Sequence, residues 1–259
     1  NGLKKLEYRG YDSAGIAYKN DKINIIKEKG KIKDLENKIS KYEESNLGIG
    51  HTRWATHGEA NAINSHPHNV GDITIVHNGI IENYEELKNE FLSDYKFKSE
   101  TDTEVAAALI DYNYKKENNI LNAMKKSMEM IKGSYAIGII VENDDNLYVM
   151  KNKSPLIIGV SDSGNYIASD VYAILEYTNK YMILNDLEMA KITSENVSVY
   201  DNELKEIKRE ILTLDKQHEN IDKNGFDHFM KKEIYEQPNV IKKTIDKYIE
   251  FNSDEIVWK

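Results

Sequence analysis

A chain of 259 residues with a formal net charge of −9 is long enough to bury a substantial core, and its negative balance opposes binding to nucleic acid or anionic membrane by bulk charge. It contains no cysteine, which excludes a disulfide framework, a thiolate metal site and a cysteine nucleophile among these residues. No window approaches the roughly eighteen consecutive apolar residues of a membrane span, and the opening NGLKKLEYRG lacks the apolar stretch of a signal peptide, so a soluble, cytoplasmic protein is expected.

In chain order, Leu3 and Leu6 mark a short amphipathic helix that starts almost at once, as in a chain cut at its front. SAGIAYK (13–19) and INIIKEK (23–29), joined by NDK, predict a hairpin. Ile32, Leu35 and Ile39 predict a helix over 31–42, and residues 48–54 a strand that runs into a loop crowded with His51, His57, His66 and His68. DITIVHNGII reads as a strand that meets a turn at Asn78-Gly79, followed by the helical ENYEELKNEFL. Two further helices are expected over 102–116 and 119–132. From Gly133 onward SYAIGIIVE, NLYVMK, LIIGVS, NYIASD, KYMILN, EMAKIT and VSVYD predict closely spaced strands. Helices bracketed by two runs of strands imply an α+β fold rather than a parallel βα alternation. The polar stretch 215–225 is the linker candidate.

Several residues carry chemistry. Arg53, at a strand end, presents a planar guanidinium that can take a carboxylate through two parallel hydrogen bonds; an ordinary salt bridge is the competing reading. Thr56, His57 and Gly58 follow in a polar loop suited to a small ligand. The histidine spacings HTRWATH and HPH match no standard zinc pattern, so loop-fixing hydrogen bonds are favoured over a metal. Asn78 and Gly79 form a turn or aim an amide and a backbone N–H at an oxyanion. SETDTEV (99–105) starts a helix with an acidic first turn, and Asp102 there can instead pair with an ammonium. Trp54 reads as core or lid.

Together EYRGYDSAGIA (7–17), HTRWATHG (51–58), HPH (66–68), VHNGIIENY (76–84), SETDTEV (99–105), GSYAIGII (133–140) and DHFMKKEIYEQP (227–238) resemble the glutaminase domain of the glutamine–fructose-6-phosphate aminotransferases, class II glutamine amidotransferases with an N-terminal nucleophile hydrolase fold. The resemblance implies a four-layer αββα sandwich in which an N-terminal Cys attacks the glutamine amide with its own α-amino group as base. It implies that Arg53 binds the glutamine α-carboxylate and Asp102 the α-ammonium, that Thr56 and His57 line the pocket, and that Asn78 and Gly79 form the oxyanion hole. It further implies that Arg9 and Gly10 support the nucleophile, that Trp54 gates ammonia, and that His66 couples the two halves of the enzyme. Glutamine is then the ligand, fructose 6-phosphate the partner substrate of an absent sugar-isomerising domain, no cofactor or metal is needed, and the parent is a homo-oligomer. Domain limits of 1–215 and 216–259 are expected, the second covering the linker and the start of the sugar domain. The departure from the family is the missing Cys and N-terminal strand, so the chain is expected to be inactive alone; the alternative is a glutamine-binding or regulatory module that naturally lost its nucleophile.

Overall fold

A computed structural model describes residues 1–39, 44–54, 58–214, 225–252 and 255–258. The chain divides into two compact units, Asn1–Lys216 and Gln217–Lys259.

In the first unit, alternation with a period of two decides which side of each strand meets which core. The central strand β5 (Ile73–Ile81) sends Ile73, Ile75 and Ile81 to one face and Val76 to the other. Its neighbour β6 (Gly133–Val141) does the same, with Tyr135, Ile137, Ile139 and Val141 against Ala136 and Ile140. These two pair antiparallel over their whole length. With β4 (His68–Val70), β7 (Asp144–Asn152), β11 (Glu188–Ile192), β12 (Val197–Tyr200) and β13 (Glu206–Ile207) they form a seven-stranded sheet ordered β13-β12-β11-β7-β6-β5-β4.

One face of that sheet is covered by α3 (Tyr84–Phe91), α4 (Asp102–Glu117) and α5 (Ile120–Met130), whose Leu87, Leu109, Ile110 and Met124 join Ile73, Ile137 and Met150 in one cluster. α4 is buried on nearly all sides, Val105 to Ile110 being 0–1% exposed. The other face packs against a second layer made of two sheets. One is β1 (Ser13–Lys19), β2 (Ile23–Lys29) and β3 (Leu47–Arg53) in the order β2-β1-β3; the other is β8 (Ile157–Ser161), β9 (Gly164–Ala168), β10 (Lys180–Ile183) and β14 (Leu212–Thr213) in the order β14-β10-β8-β9. Ala17 and Ile49 from the first, and Ile158 from the second, share a core with Val76, Leu147 and Val149 of the large sheet. Outside β1, the helix α2 (Ile32–Lys38) buries Ile32 and Leu35 against Ala14 and Ile16, and Leu3 of α1 (Gly2–Lys5) joins them. The layers are therefore αββα, all strand pairs antiparallel.

The hairpin β1–β2 and the helices α4 and α5 lie where the sequence predicts them. The helix expected over 31–42 is described only as Ile32–Lys38, and residues 40–43 lie outside the described residues. The turn expected at Asn78-Gly79 is absent: β5 runs straight through, Asn78 opposite Ala136 and Gly79 opposite Tyr135. Glycine is needed there for a different reason. Gly79 has φ +140°, and a Cβ on it would lie 2.0 Å from the Ser134 carbonyl oxygen, so the residue serves a close approach of two backbones rather than a reversal.

The second unit holds α6 (Phe229–Tyr248), which contains Pro238, and a hairpin of β15 (Ile249–Asn252) with β16 (Glu255–Trp258).

Gly79→Ala therefore adds both a disallowed backbone and a steric overlap in the centre of the large sheet, and we expect a loss of at least about 2 kcal/mol in urea unfolding. An unchanged urea midpoint would contradict the assigned conformation.

Candidate active site

A cavity of about 840 Å³ opens between the two sheet layers, within the range of small-ligand sites. Its floor is the large sheet at Val76, Asn78, Ala136 and Gly138, and its two sides are Gly48–Arg53 of β3 and Asn165–Ala168 of β9. Both β3 and β9 end their sheets, so the cavity separates two strand edges in one layer. Arg9, Gly10 and Trp54 line it as well.

The side chains in it follow from strand parity. Ile49 faces the inter-sheet core, so His51 and Arg53, two and four residues on, are on that same face of β3. On β5, Asn78 follows Val76 toward the cavity, whereas His77 follows Ile73 and Ile75 toward α4. Arg53 is 4% exposed. Its Nη1 donates to Glu59 O and Nη2 to Gly58 O, each at 3.3 Å, with the Asp12 carboxylate 3.9 Å away. Burial pushes the guanidinium down from its ordinary value, and the charges of Asp12 and Asp102 pull it back up. These are long contacts, the kind a carboxylate ligand can displace with a bidentate pair.

Asp102 begins α4. Thr101 caps that helix by accepting from Glu104 N–H at 3.3 Å, a standard arrangement for a threonine at this position. The Asp102 Oδ2 accepts from Ile81 N–H at 2.8 Å, which fixes the carboxylate beside β5 with oxygen lone pairs to spare. Arg53, Asn78, Gly79 and Asp102 thus line one cavity, and the Asn78 amide makes no hydrogen bond to another of the described residues. A buried cation and a buried anion lining one cavity, with an amide on the floor, suit a zwitterion carrying a polar side chain.

Arg9 turns to Asp170 and Ser169: its guanidinium pairs with Asp170 Oδ2, which also accepts from Tyr8 Oη at 2.7 Å. Asp170 is a residue the sequence reasoning missed, since nothing in its local pattern announces a partner 161 residues away. Gly10 has φ +77°, and a Cβ there would meet the Trp54 ring at 3.2 Å. Trp54 itself is 68% exposed, so it lies beside Gly10 at the surface and not in the core. Thr56 and His57 lie outside the described residues.

The loop beyond them is held at several points. Lys27 Nζ donates to Ile63 O and Pro67 O, and burial pushes its ammonium down to about 8. Asn64 Nδ2 donates to Glu59 O and to Glu100 Oε2, while Glu100 N–H donates back to Asn64 Oδ1. A Cβ on Gly15 would lie 2.2 Å from the His66 carbonyl oxygen, so only glycine lets that loop lie so close to β1.

His66 is inside the protein, 6% exposed. Its Nδ1 lies 3.0 Å from His51 Nδ1 and its Nε2 2.8 Å from Thr103 Oγ1. Thr103 Oγ1 is also 2.9 Å from His77 Nδ1, and His68 Nε2 is 3.1 Å from Thr101 Oγ1. Burial dominates in lowering all four: His51 and His68 to about 3, His66 well below its ordinary value, and His77 below it despite the opposing charge of Asp102. The rings are neutral at physiological pH. Among the described residues no group of three or more His, Asp or Glu converges on a metal-sized point, and no helix is long and apolar enough to cross a membrane.

Residues 51–176 match the family of glutamine amidotransferase domains. The chain is 50% identical over 250 residues to the glutamine–fructose-6-phosphate aminotransferase (isomerizing) of Clostridium acetobutylicum, covering 94% of this chain and 41% of that protein. It is 45% identical to the Geobacillus kaustophilus enzyme of the same name, covering 98% and 43%. It thus spans about two fifths of the length of the curated relatives it matches. Among solved structures it is similar to the glutamine phosphoribosylpyrophosphate amidotransferase of B. subtilis, with 27% identity and a TM-score of 0.66 over 79% of this chain and 46% of that one. A class II domain protein from Silicibacter pomeroyi, 16% identical with a TM-score of 0.52 over 73% of this chain and 90% of that one, shares the fold.

The neutral histidines give a pH dependence. For His66 and His68 the folded-state value lies below the ordinary 6.5, so the unfolded chain takes up protons first as pH falls. Their contribution is full above about 6.5 and is lost progressively as pH falls toward the folded-state value, about 3 for His68. His68 is expected to cost on the order of 1 kcal/mol at pH 5.5 relative to pH 7.5 and His66 to add a loss of the same sign, read as a fall in the urea midpoint, and His68→Gln should remove one histidine's share of that slope. A midpoint constant from pH 7.5 to 5.5 would show that these rings are charged or solvated in the folded protein.

Proposed function

Because this chain belongs to the class II glutamine amidotransferases, we propose that it is the glutaminase portion of a glutamine–fructose-6-phosphate aminotransferase, releasing ammonia from glutamine for the synthesis of glucosamine 6-phosphate. The observation that carries this reading is the convergence of Arg53, Asp102, Asn78 and Gly79 on one cavity. Arg53 takes the α-carboxylate and Asp102 the α-ammonium, so the side-chain amide is directed to Asn78. A thiolate attacks the amide carbon; the amide oxygen gains negative charge and is met by the Asn78 amide and the Gly79 N–H. Ammonia leaves with a proton, and water hydrolyses the thioester to glutamate. Trp54 over Gly10 closes the exposed mouth, and Arg9, tied to Asp170, holds the adjoining backbone. The family motif assigns Thr56 and His57 to glutamine binding, and His66 acts from beneath the pocket. The sugar substrate enters through a separate isomerising domain, Gln217–Lys259 being the start of that connection, and the whole enzyme is a homo-oligomer.

The thiol is the missing part, since these 259 residues contain no cysteine. The free edges of β3 and β9 on either side of the cavity support its delivery on an added strand, which would join the three- and four-stranded sheets into one. The same absence favours a second reading, a glutamine-binding module without catalysis. The two part in one experiment. The 259-residue chain is expected to release no glutamate from glutamine, and the same chain preceded by a strand with an N-terminal Cys is expected to gain that activity and lose it again on Cys→Ala. Equal glutamate release by the unextended chain would show the chemistry to be misassigned, and no gain on extension would leave the binding module.

Recognition is tested separately. Loss of a charge-assisted bidentate contact costs about 1.5–3 kcal/mol, so Arg53→Ala should weaken glutamine binding by about 10- to 150-fold in calorimetry. Unaltered affinity would remove Arg53 from the carboxylate site.

A further inference from the structure

Among the described residues β3 and β9 each end a sheet, so the three- and four-stranded sheets lie in one layer without sharing a ladder. A strand that pairs with both edges needs them about 9.6 Å apart, twice the ordinary strand spacing of about 4.8 Å. Hydrogen bonds weaken steeply with small errors in distance and angle. The core beneath the two sheets is apolar, and apolar contact is non-directional; it holds the sheets down without setting that width.

Residues 2–12 bridge the two sheets. Leu3 packs with Ala14, Ile16 and Ile26 of the three-stranded sheet, whereas Leu6 packs with Ala168 of β9 and with Ala173 and Ile174 just after it. A Cβ on Gly2 would lie 3.1 Å from the Ala173 carbonyl oxygen, so α1 is close against that segment. The polar half of the bracket follows. Tyr8 Oη donates to Asp170 Oδ2 at 2.7 Å and accepts from Arg9 Nε at 3.1 Å; Arg9 Nη2 pairs with the same Oδ2, and Nη1 donates to Ser169 Oγ at 3.2 Å. Burial pushes the Tyr8 hydroxyl up from its ordinary value, so it keeps the proton it donates. Asp12 N–H then donates to the carbonyl of Arg53, the last residue of β3, at 2.9 Å. The stretch from Tyr8 to Asp12 thus runs from the end of β9 to the end of β3.

Asp170 is its anchor. The Oδ1 accepts from Tyr172 N–H at 3.1 Å and caps the 3-10 turn Val171–Ala173, while Oδ2 holds Tyr8 and Arg9. Both oxygens are engaged, so the carboxylate cannot rotate without losing bonds on one side. Its side chain is 15% exposed, which sets the pair apart from ordinary surface ion pairs.

We propose that Asp170 is a positioning residue which, through Tyr8 and Arg9, sets the width of the slot between β3 and β9 and so decides whether an added strand pairs with both edges. The added strand rests on the glutaminase reading; the bracket does not. Arg53 and Asp102 keep their own supports, Gly58 O and Glu59 O for the first and Ile81 N–H for the second, so loss of the anchor displaces what is delivered on the strand more than what binds the ligand.

The test has two arms. Because the chain has no cysteine, Lys29→Cys on β2 and Ile183→Cys on β10, both exposed positions, give one unique spin-label site on each sheet, and electron double resonance reads the distance between them without ligand. One narrow distance is expected. Asp170→Asn should broaden or shift it, since the amide must either give up the Tyr172 cap or turn its NH₂ group toward two donors; an unaltered distribution would overturn the bracket. The second arm uses the chain preceded by a strand with an N-terminal Cys. Misplacing a reacting group by about 1 Å costs about 100-fold, so Asp170→Asn should lower kcat for glutamate release about 10- to 100-fold while KM for glutamine stays within about 3-fold. An unchanged kcat, or a rise in KM matching the fall in kcat, would overturn the role at the slot. Should the asparagine variant not fold, Tyr8→Phe, which removes a single hydrogen bond to Oδ2, decides both arms. An extended chain with no activity at all would remove the glutaminase reading, and the label distance would still decide the bracket.

Discussion

The hydrogen bond from Ile81 N–H to Asp102 Oδ2, 2.8 Å long, ties the first turn of α4 to the end of β5, and the arrangement of the cavity depends on that attachment. It fixes a carboxylate where the helix dipole favours negative charge. It also sets the height of α4 over the large sheet, so that Thr101 reaches His68 and Thr103 reaches both His66 and His77. Three consecutive residues, Thr101, Asp102 and Thr103, thereby connect the helix layer, the central strand and the histidine-bearing loop. All three are at most 5% exposed, so their polar atoms had to be matched by polar partners, and they are.

The second constraint is the pleat of β5. Successive residues point to opposite faces, and this lets one strand serve two environments: His77 closes a buried network against α4, and Asn78 faces the cavity between the sheets. Gly79 continues the strand where Ser134 leaves no space for a side chain. The polar floor of the cavity is therefore built into a continuous, nine-residue strand of the most central sheet. A site on such a scaffold is held more rigidly than one on a loop, whereas Trp54 is exposed beyond the end of β3. The charged wall obeys the same logic. Arg53 is the last residue of β3 and is buried, so it leans on the carbonyls of Gly58 and Glu59, and the loop in turn leans on Asn64, Glu100 and Lys27.

The sequence by itself determined the element types and the family. The hairpin β1–β2, the helices α4 and α5 and the run of strands after Gly133 announce themselves by period and by turn residues, because burying one face imposes that period locally. The motifs containing Arg53, Asn78, Gly79 and Asp102 were legible for the same reason: each is a short run of neighbours. Tertiary structure alone decided what those runs do together. Asn78-Gly79 looks like a turn in isolation, and is strand because Ser134 on β6 crowds Gly79 from across the sheet, a contact 55 residues away in sequence. The histidines looked like four equivalent loop residues; the approach of α4 bound His66 to Thr103 and His68 to Thr101, and brought in His77, which its motif contained without singling it out. Asp170 became the partner of Arg9 only when β9 and the first turn of the chain met. Local propensity is a property of neighbours along the chain, but a hydrogen-bonded network is a property of neighbours in space, and only the packing of the four layers specifies those.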